Sequence, residues 1–323
     1  MTVFAALVVA AAAIAAAGPV LLTRAGRTRL DPVALLIGWV GALAMLGLLT
    51  ALAIVALLLP LHADYSVTTA FGDCWSLAVH GTVPQGRRAT GAALAALIAG
   101  SVVISGVRCV FVLARRRAVA TLHCDRIRLV ASPAAGDGRV WCLEHDAPLA
   151  FAIAAPRGGM VVISRGLQTL LAPSELAAVL AHEHAHLRGR HHLIVAITEV
   201  IGQVLRPIPL CRNAPSAVRE LVEAIADGAA ARRCGAATVH RALLQMASAQ
   251  SVRQRSGTAG RGPTLAMATT ATSARARRLQ LPAASRSARV RHCGAVAAAT
   301  ALGSAATVAL AALVVSAISC PAL

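Results

Sequence analysis

The stretch that decides the fold is ELAAVLAHEHAH, residues 175–186, an apolar helical pattern that ends in histidines and a glutamate. Its last five residues fit the pattern HExxH. Because positions i and i+4 share one helical face, His182 and His186 point at one metal ion and Glu183 lies beside them. In such sites zinc lowers the pKa of a bound water to about 7, and the glutamate takes its proton as general base. HExxH fixes only three positions, however, so its surroundings must support the interpretation.

Two acidic residues downstream give that support. Residues 223–227 read EAIAD, and Glu223 and Asp227 lie four apart on one helical face. One carboxylate can bind zinc as the third ligand, while the other accepts a hydrogen bond from the second N–H of a ligand histidine. The chain has only 13 acidic residues, so two placed in this way after an HExxH favour a site over a solvated patch.

A rival third ligand exists, since residues 182–192 also fit HExxHxxGxxH with Gly189 and His192. That pattern belongs to secreted enzymes with a methionine turn. The nearest methionine, Met246, stands in a helical run, and the match leaves the downstream carboxylates without a role. We therefore favour Glu223 as the third ligand.

The remaining polar residues near the motif are less informative. His184 points to the far side of the helix from the two ligand histidines. His191 is either a surface residue or a donor to the transition state, and we favour the surface. Arg219, four residues before Glu223, is the best candidate to stabilise the negative charge that develops in the reaction.

The composition indicates a membrane protein, because 57% of the residues are hydrophobic. The net charge of +18 fits a basic cytoplasmic face beside anionic lipid, and an aromatic content of 2% speaks against nucleic-acid binding. A spanning helix needs about 20 apolar residues. Four stretches meet this condition: residues 3–22, 33–59 and 91–113, and the middle of 293–323.

The arginines set the orientation. They cluster at residues 24–29, between the first two spans, and at 115–117, after the third, so both segments are expected to be cytoplasmic. No positive charge precedes the first apolar stretch, which argues against a cleaved signal peptide. The N- and C-termini and the loop 60–90 are then external. Of the eight cysteines, only Cys74 and Cys320 fall outside, where a disulfide is permitted.

This topology divides the chain into 1–114 with three spans, a cytoplasmic metallopeptidase domain at 115–292 that ends in an Arg-rich linker, and 293–323 with the fourth span. The cytoplasmic segment is expected to be a small α+β unit. Its predicted strands are 126–130, 149–154 and 160–163, the last two forming a hairpin. Its predicted helices run from Pro173 to about Arg188 and from near Ser216 through Asp227.

These motifs, mainly within residues 145–230, resemble the BlaR/MecR-type integral-membrane metallopeptidases, which are similar in their core to HtpX and the CAAX prenyl proteases. The resemblance implies a minimal gluzincin fold in which His182, His186 and Glu223 bind zinc, Glu183 is the base and Asp227 is its neighbour. The expected fold class is mainly α: a four-helix transmembrane protein with a cytoplasmic α+β minimal gluzincin domain.

Two departures from the family are informative. The family usually has an apolar residue at position 184, and the chain ends at Leu323, so we expect no penicillin-binding sensor domain. The expected function is zinc-dependent cleavage of a cytoplasmic regulator, such as a transcriptional repressor, or of a membrane protein, in signalling. The alternatives are a non-catalytic signalling or scaffold protein and an HtpX-like quality-control protease. The intact Glu183 favours an enzyme.

Overall fold

The computed structural model describes residues 2–26, 30–58, 85–134, 138–154, 159–255, 275 and 292–296, and this part of the chain is mostly helical with one small sheet. The elements are α1 (Thr2–Gly26), α2 (Pro32–Leu58), α3 (Gln85–Val130), β1 (Ala131–Pro133), β2 (Val140–Leu143), β3 (Ala150–Ile153), β4 (Met160–Ser164), α4 (Arg165–Leu170), α5 (Pro173–Arg188), α6 (His191–Val204), α7 (Pro209–Cys234) and α8 (Ala236–Arg255).

The first two helices contain segments long and apolar enough to cross a membrane, Ala6–Gly26 and Pro32–Ile54. They also pack against α7, because Trp39 of α2 shares a buried cluster with Leu210 and Val218. Within the described residues no other helix meets the criteria for a span. The predicted third span lies inside α3, and the fourth falls almost wholly outside the described residues.

Helix α3 is longer than expected and continues through residues 126–130, so the strand predicted there is wrong. The alternation of arginines with apolar residues in this segment is typical of a strand. However, Cys124 and Ile127 are spaced for one helical face, and they pack against Met160 and Val162 of the sheet. Tertiary packing therefore keeps the segment helical, and the first strand begins only at Ala131.

The sheet has the strand order β1-β2-β4-β3, in which β2 and β4 are parallel and the other neighbours antiparallel. Strand β4 is buried along its whole length. The predicted hairpin is confirmed, since Ala150 pairs with Ile163 and Ile153 with Met160; residues 155–158 of its turn lie outside the described residues. Strand β3 is thus an edge strand, and it contacts α5, the helix of the HExxH motif.

Helix α5 has the predicted limits, Pro173–Arg188. Proline suits the first helical position because its missing N–H is not needed there, and Glu175 accepts a hydrogen bond of 3.1 Å from the backbone N–H of Ala172. Helix α7 begins at Pro209, earlier than the predicted start near Ser216. Its first turns are stabilised by packing of buried residues such as Leu210 in the cluster that it shares with α1 and α2.

Candidate active site

Helices α5 and α7 pack closely and bring the two sequence motifs face to face. Small buried side chains at the contact, including Ala178, Ala181 and Ala230, allow the close approach. The ligand residues lie side by side: the Nε2 atoms of His182 and His186 are 3.1 Å apart, and they lie 3.5 and 3.4 Å from the carboxylate oxygens of Glu223. One ligand atom from each residue fits within 4.8 Å of the others, so the three can hold one metal ion.

Asp227 fixes the orientation of the first histidine. Its Oδ1 lies 2.9 Å from Nδ1 of His182, and its side chain is only 5% exposed. Because Nδ1–H donates to this carboxylate, the neutral form of His182, which binds metal, has its lone pair on Nε2, and that atom faces the other ligand atoms. The structure thus brings together the five residues that the two motifs predicted for the site. They all line one cavity: His182, Glu183, His186, Glu223 and Asp227.

Arg275 also belongs to the site, although it was not predicted from the sequence. It donates to both carboxylate oxygens of Asp227 at 2.8 and 2.7 Å and lies 3.2 Å from Glu223. Nothing in the local sequence distinguishes it from the other arginines of the segment assigned to a linker. Its contact with Asp227 of α7 is long-range, and short-range sequence patterns do not predict such contacts.

The arginine nominated instead, Arg219, has a different partner. It forms an ion pair with Glu199 of α6, which also binds Arg116 of α3. Both arginines line the wall of a cavity of about 1070 Å³ that contains the candidate ligands. Arg219 is therefore held at Glu199, and among the described arginines it is Arg275 that contacts the carboxylates of the site.

Glu183 lies in this cavity, which the edge strand β3 also lines. Burial raises the pKa of Glu183, and the negative charge of Glu223 adds to the increase. A carboxylate with a raised pKa is better matched to a proton that is exchanged near neutral pH. The position and the pKa of Glu183 both suit a general base.

The other ionisable groups compensate one another's charge. Burial lowers the pKa of His182, but hydrogen bonds to Asp227 and Glu223 outweigh it and raise the value to about 9. Burial and the charge of His182 lower the pKa of His186 to about 4. Burial raises the pKa of Asp227, but its hydrogen bonds to Arg275 and His182 lower it to about 2. Without metal, the site is therefore a network of paired charges.

The other histidines near the motif differ in their positions relative to the candidate ligands. His191 was assigned to the surface, and this was wrong: it is 5% exposed, and its Nδ1 lies 3.0 Å from Nδ1 of His186. His192, the rival third ligand, is exposed and is not part of the ligand group. Met246 lies within α8 rather than in a turn. His184 faces elsewhere, with Nδ1 2.8 Å from the carbonyl oxygen of Leu180.

The chain is similar to known proteases. The model of Peptidase family M48 matches residues 120–315. Over 65 residues the chain is 38% identical to the Protease HtpX homolog of Persephonella marina, covering 20% of this chain and 23% of that protein. Over 68 residues it is 35% identical to the homolog of Syntrophobacter fumaroxidans, covering 21% and 24%.

The matched segments are short, so the chain spans about a quarter of the length of these curated relatives. No solved structure matches the chain. The family match, by contrast, covers more than half of the 323 residues and includes both site motifs. The chain therefore belongs to peptidase family M48.

Proposed function

We propose that the protein is a multi-pass membrane zinc endopeptidase in which His182, His186 and Glu223 bind the metal and Glu183 is the general base. The observation that carries the proposal is the convergence of three ligand atoms beside a half-buried glutamate in one cavity. Two imidazoles and one carboxylate form a donor set that suits catalytic zinc, because three protein ligands leave a position for water or substrate. Membership of a peptidase family supports the interpretation of this site as a peptidase active site.

Each of the site residues would have a separate role in peptide hydrolysis. Bound zinc supplies a Lewis acid that polarises a carbonyl and acidifies water. Glu183 takes a proton from the attacking water and returns it to the leaving amine. Asp227, itself paired with Arg275, keeps His182 in the tautomer whose Nε2 lone pair faces the metal position. The edge strand β3 lines the cavity, and an extended substrate can pair with it there.

The membrane setting is supported by the two N-terminal apolar helices, and the arginine clusters favour a cytoplasmic active site. We propose as substrate a cytoplasmic regulator, such as a transcriptional repressor, or a membrane protein, with BlaR/MecR-type signalling as the role. A second candidate is HtpX-like quality control, favoured by the names of the relatives. The presence of Glu183 argues against a scaffold without turnover, which needs no general base.

Zinc analysis of the purified full chain in detergent tests the assignment. We expect about one zinc per chain, as a three-ligand catalytic site holds one ion. Glu223→Ala removes a ligand and should lose most of the metal, whereas the matched control His192→Ala should retain it. Retention by Glu223→Ala together with loss in His192→Ala would transfer the third-ligand role to His192.

A further inference from the structure

The two candidate ligand histidines are held in the same manner by different partners. Nδ1 of His182 faces Asp227 at 2.9 Å, and Nδ1 of His186 faces Nδ1 of His191 at 3.0 Å. In both cases the Nε2 atom is left on the side of the third ligand, Glu223. The ring of His191 stands nearly perpendicular to that of His186, with an interplanar angle of 89° and centroids 4.9 Å apart.

We propose that His191 is a positioning residue that accepts the Nδ1–H hydrogen bond of His186 and thereby aims its Nε2 at the metal. The proposal rests on the proposed zinc site and extends it to the residue behind the second ligand. A histidine bound to metal through Nε2 carries its remaining proton on Nδ1, so an acceptor there fixes both tautomer and ring angle. His191 can accept only if its own proton is on Nε2.

The backbone between α5 and α6 positions the imidazole ring of His191 beside His186. Gly189 is the C-cap of helix α5, and a Cβ at that position would overlap the ring of His191. Arg190 then adopts a left-handed conformation, φ 47° and ψ 37°, and among the described residues no other non-glycine has a positive φ. That conformation is unfavourable for a side chain with a Cβ. It reverses the chain so that His191, the first residue of α6, folds back onto α5.

The surroundings of His191 suit an acceptor. The side chain is buried, and its Nδ1 lies within hydrogen-bond distance of Nδ1 of His186, where a neutral imidazole with its proton on Nε2 presents a lone pair. His192, the next residue, lines the same cavity, but it is exposed and is not one of the candidate ligands. His191 contacts His186, so the two adjacent histidines provide a matched pair for mutagenesis.

The test is the zinc dissociation constant of the full chain in detergent, measured by competition with a chelating dye. His191→Leu keeps the bulk but removes the acceptor, and we expect affinity to fall by about 10- to 100-fold, as for other partners of metal ligands. His191→Asn presents Oδ1 where the imidazole has Nδ1, and we expect affinity near wild type. The matched control His192→Leu should also bind like wild type.

Either of two results would overturn the proposal: wild-type affinity in His191→Leu, or a loss in His191→Asn as large as that in His191→Leu. If His191→Leu does not fold, His191→Asn decides alone, because near wild-type affinity supports an acceptor and a tenfold loss excludes it. A wild-type chain that binds no zinc would instead contradict the proposed function. The two failures are therefore distinguishable.

Discussion

Replacing Asp227 with asparagine should destabilise the metal-free protein by an amount that the structure sets. The folded site lowers the pKa of Asp227 from 3.8 to about 2, and its side chain is only 5% exposed. A difference of one in pKa corresponds to about 1.4 kcal/mol, so the carboxylate contributes about 2 kcal/mol above pH 4. Because the folded pKa is the lower one, this contribution is lost as the pH falls through about 2.

Denaturant unfolding of the metal-free chain in detergent measures the difference. At pH 7 we expect Asp227→Asn to unfold about 2 kcal/mol more easily than wild type, and we expect the gap to narrow below pH 4. The matched control is Asp125→Asn, because Asp125 is 69% exposed and its ion pair with Arg128 is long at 3.4 Å, so almost no change is expected. Equal stability of Asp227→Asn and wild type at pH 7 would show that the buried carboxylate of Asp227 does not stabilise the fold.

Two further predictions concern the membrane arrangement. A reporter fused after Arg255 should behave as cytoplasmic and one at Val67 as external, because of the arginine clusters; an external signal at Arg255 would refute the orientation. Cys74 and Cys320, which lie outside the described residues, are free to form a disulfide if both are external, with two unpaired thiols as the alternative. Recovery of two separately alkylated peptides from thiol-blocked, non-reduced protein would exclude the bond.

Sequence patterns over a few residues predicted those parts of the site that depend on helix limits and on helical spacing. The limits of α5 follow from a proline at its first position, a glutamate in its first turn and the apolar periodicity that leads to the histidines. The spacing of His182 and His186, and of Glu223 and Asp227, placed each pair on one helical face. These rules depend only on helical geometry, and the structure shows the same pairs facing each other.

The features that escaped prediction depend on long-range packing or on an unusual backbone. The segment 126–130 stays helical because Ile127 packs on the sheet, although its pattern alternates. His191 is buried because Arg190 takes a left-handed conformation, which its residue type does not favour. Arg275 reaches Asp227 from 48 residues further along the chain.

The role of Glu183 as general base is tested by comparing wild type with Glu183→Gln and measuring both zinc content and cleavage of cellular proteins. Glu183→Gln should keep about one zinc, because residue 183 is not a ligand, and should lose peptidase activity by several orders of magnitude, because the base is removed. Cleavage by Glu183→Gln at close to the wild-type rate would exclude Glu183 as the general base.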